Sequence, residues 1–338
     1  MKKRMYVVAF FFGVIVALLL IFIKFPYYVT MPGTAQDLKP LVHVEHGDDD
    51  DEGTFMLTTV KMGRANAISY FLAHVRSFYE LYPLEEIKQE GETDEEYTMR
   101  QLQLMEQSKE AAIAVAYKKA GKPVSYKAKG VYVMSVLPHM PAEGQLKVGD
   151  RIIKIDGKRM DTSEQMVQYI RTKKKGDKVH ITFVRGKKEK EATLTLMPFA
   201  HNPKQIGIGV SLTTDYDIAT NPPVRIDSEQ IGGPSAGLMF SLEIYNQLVE
   251  EDITKGHKIA GTGTINMNGE VGPIGGISQK IVAADREGAE IFFAPNENGA
   301  ADSNYREAVK TAKKIGTKMK IVPVDTFDDA IRYLENLK

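Results

Sequence analysis

The 338-residue chain contains no cysteine. This excludes disulfides, thiolate metal sites and a cysteine nucleophile, and it suits a protein that enters an oxidising compartment without bridges. Tryptophan is absent as well, which carries no functional meaning. Net charge is also missing. With 44 basic residues against 44 acidic ones there is no overall field to attract nucleic acid, and no convincing local basic patch replaces it. The seven histidines include no His-Glu-x-x-His zinc motif. None of Lys122, Lys158 or Lys187, the lysines that follow glycine, is followed by Ser or Thr, so there is no nucleotide-binding P-loop. Nothing in the chain calls for a cofactor or a metal.

What is present begins with Lys2, Lys3 and Arg4, followed by a nearly unbroken apolar run from Met5 to Ile23 and then Lys24. As a helix these residues span about 28 Å, close to the thickness of a bilayer core. A cleavable signal peptide has a shorter core and a small-x-small cleavage site, whereas Lys24-Phe25-Pro26-Tyr27-Tyr28 follows here. The favoured expectation is an uncleaved signal anchor, ahead of a cleaved signal or a buried core helix. Its charge bias puts residues 1–4 in the cytoplasm, 5–24 in the membrane and everything from about Thr30 outside, with Tyr27 and Tyr28 at the outer interface.

Beyond the anchor, Leu41 to Val44 and Phe55 to Val60 read as strands of a hairpin joined across Gly47 to Gly53. The run Asp48-Asp49-Asp50-Asp51-Glu52 between them is expected to be a solvated tip. Consecutive carboxylates cannot all face one cation. Residues 65–80 and 94–120 have helical spacing, the second opening on a Thr93-Asp94-Glu95-Glu96 capping box and stopping at Gly121-Lys122-Pro123.

From Lys129 to Pro198 the pattern changes to short strands and one helix. The glycine-led Gly130-Val131-Tyr132-Val133 and the run Leu146-Lys147-Val148-Gly149-Asp150-Arg151-Ile152-Ile153-Lys154-Ile155-Asp156-Gly157 resemble a PDZ domain, a small β-barrel-like sandwich with helices. An open strand edge from Val131 and a helix carrying Met166, Val167 and Ile170 would form a groove for an added peptide strand, with amides near Gly130 receiving a terminal carboxylate. A spacer that binds nothing is the alternative.

The chemistry is expected at Ile231-Gly232-Gly233-Pro234-Ser235-Ala236-Gly237. Pro234 suits a first helical position, which would set Ser235 in the first turn, where free amides and the positive helix end converge. A phosphate-binding loop has the same features. A second run, Gly261-Thr262-Gly263-Thr264 followed by Pro273-Ile274-Gly275-Gly276-Ile277-Ser278-Gln279-Lys280, places Lys280 on a helix with Ile277 and Ala284 on its own face. Burial there lowers a lysine pKa and provides a neutral amine that can take a serine proton. On its own, a lysine after a glycine pair reads as a surface residue.

Together, Gly-Pro-Ser-Ala-Gly and a lysine 45 positions after the serine (280 minus 235) resemble the Lon-type serine peptidases, which use a Ser-Lys dyad on their own α/β (α+β) fold. With an anchor and a PDZ domain added, the chain most resembles the SepM/YlbL-type bacterial surface proteases of that clan. The resemblance implies Ser235 as nucleophile, Lys280 as base, Thr262 as the hydroxyl orienting the amine, and the backbone amides of Ser235 and Ala236 as oxyanion hole. It also implies residues 30–127 as an N-terminal extracytoplasmic region sharing the peptidase fold, 128–198 as an inserted PDZ domain and 199–338 as the catalytic domain. Gly232 stands where cytosolic Lon enzymes often carry Asp, and Thr264 where they carry Glu. The expected activity is ATP-independent endoproteolysis of secreted peptides or small membrane-tethered proteins outside the membrane. A non-catalytic PDZ scaffold and a chaperone of exported proteins are the competing readings, and the oligomeric state is left open.

Overall fold

Two main hydrophobic units organise the chain: a large one that gathers residues from both ends of the sequence and a small one built from a continuous stretch between them. The computed structural model describes residues 2–48, 52–200, 202–228 and 231–337. The acidic run expected at a hairpin tip lies, at Asp49, Asp50 and Asp51, outside them.

The chain opens with α1 (Lys2–Phe22), β1 (Lys24–Asp37), β2 (Val42–Val44), β3 (Thr54–Asn66), α2 (Ala67–Val75), β4 (Glu80–Pro83), α3 (Leu84–Ile87) and α4 (Asp94–Lys119). A middle section follows, with β5 (Val124–Val136), β6 (Arg151–Ile155), β7 (Lys158–Arg159), α5 (Ser163–Arg171), β8 (Lys178–Arg185), β9 (Lys188–Thr195), β10 (Met197–Phe199), β11 (Asn202–Gly207) and β12 (Val210–Thr220). The chain closes with β13 (Val224–Ile226), α6 (Gly237–Leu248), β14 (Lys258–Gly261), β15 (Thr264–Ile265), β16 (Val271–Gly272), α7 (Ile277–Arg286), β17 (Ile291–Pro295), α8 (Asn304–Ile315), β18 (Lys320–Val324) and α9 (Phe327–Glu335).

The first and last sections share one six-stranded sheet, ordered β18-β17-β14-β3-β1-β4. Strands β3, β14, β17 and β18 run parallel, β1 is added antiparallel to β3, and β4 is added antiparallel to β1. Strand periodicity sorts its residues onto two faces. Phe55, Leu57, Ile259 and Phe293 meet Leu238, Phe240 and Leu242 of α6 and Ile331 and Leu334 of α9 on one side. Met56, Ala260 and Phe292 meet Ile277 and Ile281 of α7 and Ala308 of α8 on the other. A mostly parallel sheet needs both faces covered, and here helices cover both. The small unit has its own sheet, β12-β5-β6-β8-β9, closed by α5 over Val131, Ile152, Ile181, Met166 and Ile170. Because the large sheet takes strands from both ends of the chain, the small unit is an insertion within it.

Helix α4 carries the expected capping box, with Thr93 and Glu96 satisfying each other's backbone amides. Helix α1 is apolar and long enough to serve as a membrane anchor or a signal sequence, and its Phe10, Phe11, Phe12 and Ile15 are exposed.

Four expectations are corrected. Strand β2 pairs with β13, not β3, so the predicted hairpin does not form; β3 is taken by β1 and β14 instead. Tyr28 is buried within β1 and its hydroxyl donates to Asp94 at 3.3 Å, so it does not sit at a membrane interface. The helix expected over 65–80 spans only Ala67–Val75, because Glu80–Pro83 form an edge strand on β1. The strand edge at Gly130 to Val133 is closed, as described below.

Candidate active site

Two loops of the large unit converge at one end of its sheet, against Thr262 and Gly263, which follow β14. The first leads into α6. Gly233 holds a φ of +86°, a left-handed conformation that a side chain resists, and its amide donates to the carbonyl of Gln101 at 2.9 Å. Helix α6 then starts at Gly237 with Ala236 as its N-cap, three residues later than Pro234 alone suggests. The reason is competition for the backbone. The Ser235 carbonyl, which a helix would pair with its own fourth neighbour, accepts instead from the Gly263 amide at 2.9 Å and the Thr262 hydroxyl at 2.9 Å. The Pro234 carbonyl accepts from the Ser108 hydroxyl of α4 at 2.9 Å, and the Leu238 amide donates to Gly263 at 3.2 Å. Ser235 is thus fixed from both sides in a turn, half-buried, with its hydroxyl facing a cleft. Among the described residues, no acceptor pairs with the amides of Ser235 or Ala236.

The second loop starts α7. Gly276 caps it in the left-handed region at φ +72°, where a Cβ would stand 2.8 Å from a Val60 methyl. Every residue from Ile277 to Ala284 is buried, so the helix is enclosed on all sides, more than an amphipathic reading suggests. Lys280 is 3% exposed. Its Nζ lies 2.8 Å from Ser235 Oγ, 3.0 Å from Thr262 Oγ1 and 2.9 Å from the Thr58 carbonyl. Burial pushes its pKa down from 10.5 to about 7.

These contacts fit the neutral amine. Two N–H groups donate, one to the Thr58 carbonyl and one to Thr262 Oγ1, and the lone pair accepts the Ser235 O–H. Thr262 in turn donates its own proton to the Ser235 carbonyl. As an ammonium, the same nitrogen donates to all three oxygens. Both states are satisfied without moving a heavy atom, which is what a proton shuttle needs.

The cleft over Ser235 has a volume of about 890 Å³, within the range of a ligand site. One wall is the Gly232 to Ala236 turn, another is Met105 and Gln101 of α4, and the floor is β3 from Leu57 to Met62. Strand β14 pairs with β3 only as far as Leu57. Past that point β3 keeps β1 on one edge and presents the other to the cleft.

The residues expected in a peptide groove separate. Gly130, Val131, Tyr132 and Val133 pair with Asp215, Thr214, Thr213 and Leu212 of β12 on one edge, and Val131 and Tyr132 pair with Ile152 and Arg151 of β6 on the other. No edge is left for a peptide there. The open groove, about 650 Å³, runs instead between α5 and the edge strand β12. Met166, Val167 and Ile170 line it as expected, but across from Ile208, Val210 and Leu212. Ile208 belongs to the small unit's core, with Val210 and Leu212 packed against it, so that unit extends past residue 198.

Sequence reasoning also missed Thr58, Gln101 and Ser108, which hold the lysine and the serine turn. Of these only Ser108, a hydroxyl within the apolar stripe of α4, leaves a signal in the sequence.

Residues 103–196 match the PDZ domain family model. The match starts within α4 and ends before β12. The chain is 31% identical over 151 residues to the Lon protease of Metamycoplasma arthritidis, covering 44% of this chain and 16% of that one. It is 35% identical over 100 residues to the Lon protease of Campylobacter concisus, covering 30% and 12% respectively. The chain thus spans less than a fifth of the length of these curated relatives. A solution structure from Geobacillus thermodenitrificans is 61% identical, covering 25% of this chain and 97% of that one at a TM-score of 0.23. The PDZ domain of an SdrC-like protein from Listeria monocytogenes is 39% identical, covering 25% and 86% at the same TM-score of 0.23. The match to the family model shows that the protein carries a PDZ domain. It also shares sequence with Lon proteases.

Proposed function

We propose that this chain is a membrane-anchored, ATP-independent serine endopeptidase of the Lon type, with its catalytic unit outside the membrane. Ser235 is the nucleophile, Lys280 the general base and Thr262 the residue that orients the amine. The observation that carries this reading is the 2.8 Å contact between Lys280 Nζ and Ser235 Oγ, made by a lysine with almost no solvent access.

In the reaction, neutral Lys280 takes the Ser235 proton as Oγ attacks the scissile carbonyl carbon. The oxyanion is received by the amides of Ser235 and Ala236, which need no reorganisation. Lys280, now an ammonium, gives its proton to the leaving amine as the C–N bond breaks, leaving an acyl-enzyme. Water, deprotonated by the same amine, hydrolyses the ester and restores Ser235. The uncovered edge of β3 suits an extended substrate that adds itself as a strand, and this selects flexible segments over folded ones. The groove between α5 and β12 would recruit an extended or C-terminal segment of secreted peptides or small membrane-tethered proteins.

The test is cleavage of a flexible reporter polypeptide by the full chain in proteoliposomes, compared with Ser235→Ala and Lys280→Ala. Cleavage lost in both variants supports the assignment. Cleavage equal to wild type in either variant contradicts it.

A further inference from the structure

We propose that α2 is a second membrane contact: an amphipathic helix lying on the outer bilayer surface beside the end of α1, which fixes the height of the Ser235 cleft above the lipid. This rests on the reading of α1 as a membrane anchor.

Helix α2 has no buried residue, although it belongs to the large unit. Ile68, Phe71 and Val75 are 45%, 65% and 59% exposed. Their spacing of three and four puts them on one stripe of the helix, with Leu72 beside it. The opposite face is the one that packs. Tyr70 sits 5.2 Å from the Phe25 ring and 5.6 Å from that of Tyr27, so the protein holds α2 through β1 and leaves the apolar stripe without a partner among the described residues.

Lipid is the occupant that continuity selects. The N-cap of α2, Asn66, donates through its side chain to the carbonyl of Ile21 at 3.2 Å, in the last turn of α1. The Arg64 guanidinium donates to the Phe25 carbonyl at 3.5 Å just beyond it. The stripe therefore begins where the apolar span of α1 ends, at the level where headgroups meet acyl chains. Lys24 and Arg76, both exposed, flank the helix with the charge that anionic headgroups attract.

The consequence for function is geometric. Strand β3 runs without interruption from Thr58, whose carbonyl holds Lys280, to Asn66 at the start of α2. Eight residue steps at about 3.3 Å place the site at most about 26 Å from the lipid surface along that strand. With α2 docked, the unit cannot swing freely about residue 23, and the cleft meets substrate segments tethered close to the membrane.

The absence of tryptophan makes the test direct, because any introduced indole is unique. Full-length Phe71→Trp, Phe11→Trp and Tyr126→Trp variants in nanodiscs are compared using lipids brominated either near the headgroups or near the chain ends. Tyr126, 52% exposed on β5, reports on solvent. The expected result is that Phe71→Trp is quenched several-fold more than Tyr126→Trp by shallow bromines, while Phe11→Trp is quenched by deep ones. Val75→Trp should behave like Phe71→Trp, which guards against a local packing defect. Quenching of both α2 indoles no greater than that of Tyr126→Trp, with Phe11→Trp still quenched, overturns the proposal and leaves the anchor standing. Blue-shifted but unquenched α2 indoles overturn it in favour of a contact with a second copy. If Phe11→Trp escapes quenching, the anchor reading fails and this proposal with it.

Discussion

Lys280 Nζ and Ser235 Oγ lie 2.8 Å apart, although α7 packs on one face of the large sheet and α6 on the other. Two groups held at this distance act as one unit. Ser235→Ala and Lys280→Ala should each lower kcat at least about a thousandfold, and the double variant should be no worse than either alone. Steady-state kinetics on a quenched fluorescent peptide measure this. Additive losses would mean that the two residues work independently.

Thr262 accepts from Lys280 and donates to the Ser235 carbonyl, so Thr262→Val removes two bonds at once. The Ser235 carbonyl keeps the Gly263 amide, but leaving a buried Lys280 N–H unpaired costs about 1–3 kcal/mol, which corresponds to a fall of roughly 5- to 150-fold in kcat. The ammonium loses more than the neutral amine when an acceptor disappears, so the acidic limb of the pH–rate profile should move to lower pH while the plateau falls. A fall in kcat with the limb unmoved would assign Thr262 a purely structural part.

The buried amine should also show in stability. In the unfolded chain Lys280 titrates near its ordinary 10.5, and in the folded protein near 7. Between these values the unfolded state holds the extra proton, so stability rises with pH, by up to about 1.4 kcal/mol per unit. Below about pH 7 both states are protonated and the slope vanishes. Denaturant titrations at pH 7 and pH 9 should show wild type gaining about 2 kcal/mol relative to Lys280→Met. Parallel curves for the two proteins would place the folded-state lysine pKa above that window.

If the groove between α5 and β12 recruits substrate, Val167→Asp, at an exposed position lining it, should raise KM for a protein substrate with little change for a short peptide. Substitution of Tyr132, whose strand is paired on both edges, should leave both constants alone. Peptide-array binding and kinetics on the two substrate sizes distinguish the cases.

What the sequence made legible was local. The α4 capping box, the apolar α1 and the two glycine-rich turns that bring Ser235, Thr262 and Lys280 together all rest on residues within a few positions of one another. What it concealed was pairing at a distance. Strand β1 contains Pro26, Pro32 and Gly33, which argue against a strand, yet β3 supplies a partner along most of its length, and a register irregularity between Pro32 and Ala35 absorbs the break. Strand β2 reads as half of a hairpin because the nearest recognisable strand in the sequence is β3; its true partner, β13, arrives only after the small unit. The groove reads as lying at Gly130–Val133 for the same reason. The strand that forms its open edge follows the recognisable run instead of leading it.

The most direct measurement of the central claim is the pH dependence of covalent labelling at Ser235 by a fluorophosphonate, followed by peptide mass spectrometry on the full chain. The account expects phosphonylation at Ser235 Oγ, rising about tenfold per pH unit below a midpoint near pH 7, levelling off above it, and absent in Lys280→Ala. Labelling at another residue, or Ser235 labelling that persists unchanged in Lys280→Ala, would contradict it.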